Sequence, residues 1–133
     1  ESAAAGADAI LLIVATLDDG TLSHLRQLAE DELHMDALVE VHTSEELKRA
    51  STAGATLIGV NNRDLRTFTV SPETSLALAR EALPEALLVS ESGLHNASDL
   101  QRLREAGYHG FLIGETLMRA GNPAEVLRDL RRL

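Results

Sequence analysis

The most informative stretch of this 133-residue chain for predicting its fold is Leu87-Leu88-Val89-Ser90-Glu91-Ser92-Gly93-Leu94. Three apolar residues lead directly into a hydroxyl, a carboxylate, a second hydroxyl and a glycine. A short apolar run without polar alternation is typical of a strand that is covered on both faces, as in parallel sheets. Because α/β proteins place their active sites at the carboxyl ends of such strands, this stretch predicts a strand that ends in a functional site.

Four similar apolar runs occur elsewhere in the chain, and segments with helical spacing or helix-capping signals separate them. The strand starts are about 20–30 residues apart, as repeated βα units require. The five predicted strands lie in residues 9–15, 37–42, 56–60, 87–94 and 110–114.

Capping signals predict where the intervening helices begin. Thr43–Glu46 and Asn96–Asp99 each have an N-cap residue three positions before an acidic residue, the spacing of a capping box. Ser71 is predicted as a further N-cap, with Pro72 at the first helical position. That helix is expected to end near Leu83, because a proline follows.

Five βα units are too few for a closed barrel, which takes eight units and about 250 residues. The alternative is an open, flavodoxin-like sheet, which usually carries its ligand loop after the first strand. Here residues 15–18 follow the first strand without a glycine-rich loop, and polar residues follow the other four strands. We therefore predict an α/β fold, a parallel (βα)8 TIM barrel of the phosphate-binding type, of which residues 1–133 form the C-terminal part with the last five units. Its open strand edges should require the N-terminal half or self-association.

The composition excludes several classes of function. A net charge of −9 and 2% aromatic residues argue against nucleic-acid binding. The chain has no cysteine, which excludes disulfides and thiolate metal sites, and we expect a cytoplasmic protein. No apolar run is long enough to span a membrane. The five histidines are scattered without metal-binding spacing, so a metal site is not expected.

Polar residues at the strand ends are the candidate site. Glu40 is in phase with Leu38, so an inward-facing Leu38 would place the Glu40 carboxylate at the barrel mouth for proton transfer. The alternative is a structural salt bridge. Asn61 can bind a substrate hydroxyl, and Arg63 a carboxylate or phosphate, and Asn62 is predicted to bind substrate together with Arg63; the alternative is a turn with a surface ion pair.

Glycines follow the last two strands. Ser92-Gly93 and Gly114-Glu115-Thr116 are predicted to bind phosphate through backbone amides, as the last loops of many barrels do. The alternative is two turn glycines. Since Glu115 is itself an anion, its side chain must point away from a bound phosphate.

Five blocks in this order resemble the indole-3-glycerol phosphate synthase family, and the resemblance covers the whole chain. The second and third blocks together are the most specific. The blocks are residues 9–15 (AILLIVA), 35–42 (MDALVEVH), 58–65 (IGVNNRDL), 89–93 (VSESG) and 111–118 (FLIGETLM).

The resemblance implies closure and decarboxylation of 1-(2-carboxyphenylamino)-1-deoxyribulose 5-phosphate, a step of tryptophan biosynthesis, without a cofactor. Glu40 resembles the proton-transfer glutamate, and Asn61 the residue that orients substrate hydroxyls. Arg63 resembles the arginine near the carboxylate that leaves. The strand-seven pair that lines the site corresponds to Glu91 and Ser92, and the phosphate-loop positions to Gly93, Gly114 and Glu115.

The family's general-acid lysine, and a further glutamate and lysine, belong to the first strands, which this sequence does not contain. Lys48 is the single lysine and is predicted to lie in mid-helix, so it cannot replace them. We therefore expect the chain alone to be inactive. Two alternatives remain: another phosphate-binding barrel enzyme, such as a sugar-phosphate isomerase, and a half-barrel that acts as a folding or assembly unit.

Overall fold

The computed structural model describes residues 1–132. Five parallel strands form one sheet in the order β1-β2-β3-β4-β5. The strands are β1 (Ala9–Ile13), β2 (Asp36–Val41), β3 (Leu57–Asn61), β4 (Leu87–Glu91) and β5 (Tyr108–Leu112). The helices are α1 (Asp19–Gln27), α2 (Ser44–Thr52), α3 (Glu73–Ala79), α4 (Ala97–Glu105), α5 (Glu115–Met118) and α6 (Pro123–Leu130).

Every strand pairs with its neighbours in the chain, which confirms the predicted βα repeat. A flavodoxin-like sheet would have the order 2-1-3-4-5, so the observed order excludes that alternative. The register places Glu40 beside Gly59 and Asn61 beside Glu91. The polar ends of the middle strands therefore meet at one edge of the sheet.

The two faces of the sheet differ in burial. Alternate residues such as Val39, Ile58 and Val60 are fully buried and belong to the hydrophobic core. Strand alternation places Leu11 on the opposite face, where half of its surface is exposed. This second face corresponds to the interior of the predicted barrel.

The helix boundaries confirm some capping predictions and correct others. Asn96 and Asp99 form the complete capping box. Thr43 accepts the Glu46 N–H, but the Glu46 carboxylate accepts the N–H of His42 at 2.7 Å, one residue earlier than predicted. Thr43–Glu46 is therefore only half of a capping box.

The prediction for α3 was wrong at both ends. The N-cap position is Pro72 rather than Ser71, and it makes no side-chain cap bond. The backbone N–H of Ser71 instead donates to the Asn62 carbonyl at 2.9 Å, which fixes this loop against the end of β3. The helix ends at Ala79, before Leu83, and the next turn contains i→i−3 bonds, from the Arg80 N–H to the Ala77 carbonyl and from the Glu81 N–H to the Leu78 carbonyl.

Candidate active site

Glu40, Asn61 and Glu91 form a buried cluster at the carboxyl ends of β2, β3 and β4. They are 6%, 8% and 8% exposed, respectively. The Asn61 amide donates to Glu40 Oε1 at 3.2 Å, and Glu40 also contacts the Glu91 carboxyl. The cluster therefore brings together two carboxyl groups and an amide that the sequence separates by up to fifty-one positions (91 − 40).

The two carboxyl groups are electrostatically unequal. Burial, followed by the charge of Glu40 and a hydrogen bond with it, raises the pKa of Glu91 to about 7. Glu91 Oε1 is buried and has no hydrogen-bond partner among the described residues. A protonated Glu91 can donate to Glu40, so this pair is able to hold and release one proton near neutral pH.

Gly59 makes room for the Glu91 side chain. A Cβ atom at this position would lie 2.0 Å from Glu91 Oε1 and 3.3 Å from Leu38 Cδ1. Since no real Cβ approaches an oxygen so closely, only glycine at position 59 permits the observed Glu91 conformation. Sequence reasoning missed Gly59, because its role depends on a side chain of the next strand.

The predicted phosphate residues line one cleft of about 580 Å³ beside this cluster. It lies between the segments that follow β3, β4 and β5. Arg63, Ser92, Gly93, Gly114 and Glu115 all border it, with Glu91 at its inner end. The structure thus brings together residues from three separate sequence motifs.

Arg63 and Glu115 form an ion pair at this cleft. Arg63 Nη2 donates to Glu115 Oε2 at 2.7 Å, and Arg119 contacts the other carboxylate oxygen at 3.0 Å. The side chains of Arg63 and Glu115 are both partly exposed to solvent. The Glu115 carboxylate therefore pairs with two cations, and one of them, Arg63, borders the cleft with it.

A left-handed turn forms the wall of the cleft after β4. Ser92 and Gly93 have φ angles of 65° and 68°. A Cβ on Gly93 would lie 2.4 Å from Val70 Cγ1, so the turn is also packed against the loop after β3. Within residues 1–132 the Gly93 N–H donates to no protein acceptor, which leaves it available for a ligand.

The assignment of Asn62 to substrate binding is corrected by its burial. Asn62 is 0% exposed and lies on the helix-facing side of the sheet. Its amide oxygen accepts from the N–H and hydroxyl of Ser75, and its amide nitrogen donates to Ser90 Oγ and the Ser92 carbonyl. No amide group is left for a substrate. Alternation was the available signal, since successive residues at a strand end face opposite sides.

A second cleft of about 560 Å³ lies on the other side of Glu40, where it is bordered by His42 and Asp64. His42 Nδ1 lies 2.7 Å from the Asn61 carbonyl, which only accepts, so this nitrogen carries the proton. A hydrogen bond from the Arg66 backbone N–H, with a further one from the Thr67 N–H, lowers the pKa of Asp64. His42 could not be found from local sequence, because its partner Asn61 lies on the neighbouring strand.

Within residues 1–132, no three histidine, aspartate or glutamate side chains come close enough together to hold a metal ion. In the same residues, none of the helices has the length and apolar character needed to cross a membrane.

Comparison with known proteins gives the family. The family model described as indole-3-glycerol phosphate synthase matches residues 1–130. The chain belongs to the indole-3-glycerol phosphate synthase family. It is 55% identical over 130 residues to the synthase of Koribacter versatilis, covering 98% of this chain and 50% of that protein. The synthase of Desulfotalea psychrophila is 52% identical over 132 residues, covering 99% of this chain and 50% of the relative.

The chain thus spans about half the length of these synthase relatives. Solved structures with similar folds include 3-hexulose-6-phosphate synthase from Salmonella typhimurium, with a TM-score of 0.78, 18% identity, and coverage of 96% of this chain and 61% of that one. Thiamine phosphate pyrophosphorylase from Pyrococcus furiosus has a TM-score of 0.75 and 17% identity, with 98% and 60% coverage. At these identities the likeness establishes the fold alone.

Proposed function

We propose that residues 1–133 supply the C-terminal part of the single TIM-barrel domain of an indole-3-glycerol phosphate synthase. The enzyme would close and decarboxylate 1-(2-carboxyphenylamino)-1-deoxyribulose 5-phosphate in tryptophan biosynthesis, in the cytoplasm. The observation that carries the proposal is the Glu40–Asn61–Glu91 cluster, which borders a cleft with cationic and amide groups at the same end of the sheet. The reaction needs proton transfer beside a bound phosphate, and this arrangement offers both.

Each residue of the cluster has a role in this proposal. Glu40 accepts and returns protons during ring closure and dehydration, and the buried Glu91 beside it stores a proton. Asn61, held by Glu40 and by its bond to the Arg63 N–H at 2.9 Å, orients the substrate hydroxyls. Arg63 binds the carboxylate that leaves as carbon dioxide.

The phosphate is bound in the cleft beside the cluster. The backbone amides of Gly93, Gly114 and Glu115 would bind its oxygens, with Ser92 as a further donor. Among the described residues 1–132, no acceptor binds the Gly93 N–H, which supports this assignment. Glycine at position 114 leaves open space, since a Cβ there would meet no atom within 4 Å.

Residues 1–133 place no lysine at this site. Lys48, the single lysine of the chain, lies within α2 and is exposed, so it cannot act as a general acid at the cluster. General acid–base catalysis contributes about 10²–10⁴-fold. We therefore propose that the chain alone is inactive and works with an N-terminal barrel half.

The test is to follow the fluorescence of indole-3-glycerol phosphate with the chain alone and with the N-terminal half of the Koribacter versatilis relative added. Product should form in the mixture only. The same mixture made with Glu40→Gln serves as the control and should lose activity. Turnover by the chain alone would refute the need for a second half, and an assembled but inactive mixture would refute the proposed reaction.

A further inference from the structure

A closed ring of hydrogen bonds lies between the sheet and α3, outside the proposed catalytic cluster. Its members are the side chains of Asn62, Ser75 and Ser90, all of which are 0% exposed. They come from the end of β3, from α3 and from β4. Buried polar groups of this kind destabilise a protein unless every one is satisfied.

The proton positions in this ring are determined by its geometry. Ser75 Oγ donates to Asn62 Oδ1 at 2.8 Å, so Ser75 Oγ must accept from Ser90 Oγ, also at 2.8 Å. Ser90 Oγ in turn accepts from Asn62 Nδ2 at 3.1 Å. The second Asn62 Nδ2 proton is then left for the Ser92 carbonyl, at 3.0 Å.

The Ser92 carbonyl belongs to a turn whose backbone conformation is unfavourable for a residue other than glycine. Ser92 is a non-glycine residue at a φ of 65°, and Gly93 follows in the same left-handed region at 68°. Such a backbone persists only where the surroundings fix it. The Asn62 backbone makes a further contact with this strand end, since its N–H donates to the Glu91 carbonyl at 2.8 Å.

The backbone of one ring residue, Ser75, also contacts the last strand. The Tyr108 hydroxyl donates to the Ser75 carbonyl at 2.8 Å and is buried. Tyr108 begins β5, the strand that leads to Gly114 on the far side of the cleft. The ring therefore connects the strands that carry both proposed phosphate loops.

We propose that Asn62 is a positioning residue, which fixes the Ser92–Gly93 turn from behind so that the Gly93 amide points into the phosphate cleft. Asn62 does not contact substrate. The Ser75 backbone N–H, which donates to Asn62 Oδ1 at 3.1 Å, orients the Asn62 amide, and that amide holds the turn through the Ser92 carbonyl. The inference rests on the proposed phosphate site.

The test compares Asn62→Asp with Ser75→Ala in the 133-residue chain. The carboxylate that Asn62→Asp introduces keeps the shape of the side chain but can donate neither to Ser90 Oγ nor to the Ser92 carbonyl. Ser75→Ala also opens the ring, but it leaves the bond to the Ser92 carbonyl in place. Nuclear magnetic resonance gives the backbone order parameter of Gly93, and titration with inorganic phosphate gives the affinity. We expect Asn62→Asp to lower the Gly93 order parameter and to weaken phosphate binding about fivefold, the effect of one hydrogen bond.

Ser75→Ala should leave both quantities close to those of the unmodified chain. Equal Gly93 order in the two variants would overturn the inference, whatever happens to their stability. If the unmodified chain does not bind phosphate, the proposed phosphate site fails, and the Gly93 order parameters still decide the role of Asn62. If Asn62→Asp does not fold, exchange of the Asn62 side-chain amide protons in the unmodified chain decides: slow exchange supports a fixed amide, and fast exchange overturns it.

Discussion

At the scale of single residues, the position of the Glu91 carboxyl depends on Gly59. A Cβ at residue 59 would lie 2.0 Å from Glu91 Oε1. Gly59→Ala should therefore displace the carboxyl and reduce kcat about 10²-fold, the effect of a misplaced catalytic group. The matched control is Gly110→Ala, where a Cβ would have a clearance of 3.5 Å to Val89. Steady-state kinetics of the mixture of barrel halves measures both, and an equal loss in the two variants would contradict the prediction.

The same carboxyl makes stability depend on pH. The pKa of Glu91 rises from 4.5 to about 7 on folding, so the folded chain binds more protons than the unfolded chain between these values. The contribution of Glu91 to the free energy of unfolding should therefore be fully present below about pH 4.5 and be lost as the pH rises through about 7, by on the order of 1–2 kcal/mol after solvent screening. Urea denaturation across this range measures the slope. Glu91→Gln should remove this slope, and a slope that persists in the variant would assign it to other groups.

Among the elements, the loop after β3 and α5 are joined by the ion pair of Arg63 and Glu115. In this pair Glu115 competes with a ligand for the Arg63 guanidinium. Glu115 Oε2 lies 2.7 Å from Arg63 Nη2, so Glu115 and a substrate anion compete for this cation. Glu115→Gln should lower KM about threefold at low ionic strength, and the gain should shrink as salt is added. Glu105→Gln on α4 makes the same charge change outside the cleft and should leave KM unaltered. A KM that is equal in both variants would show that Glu115 does not compete.

Local sequence patterns predicted the strands and one helix cap, and they missed features that depend on long-range hydrogen bonds. Apolar runs identified all five strands, because buried parallel strands need no polar alternation. Local capping chemistry identified Asn96 correctly, since both partners lie within one turn. Ser71 was misassigned because a long-range bond to Asn62 redirects its backbone. His42 escaped notice for the same reason, since its bond to Asn61 crosses between strands.

At the scale of the whole molecule, one face of the sheet lacks a cover. Leu11 and Leu112, on the two outermost strands, are 50% and 49% exposed. The chain alone should therefore self-associate with rising concentration, and Leu11→Lys should weaken that association. Leu127→Lys on α6 is the control, because Leu127 is 45% exposed on a helix and not on the sheet. Sedimentation measures the association; a wild-type chain that stays monomeric would contradict the prediction.

The order β1-β2-β3-β4-β5 also bears on how the chain acquires its structure. Each strand finds its partner one βα unit away, so each loop to be closed during folding is short and its entropic cost small. A nascent chain can add one unit at a time to what has already formed, without waiting for its far end. Folding and synthesis can then run in the same direction. A barrel of this topology can also be cut between two units, and every strand pair except the one at the cut stays on a single piece.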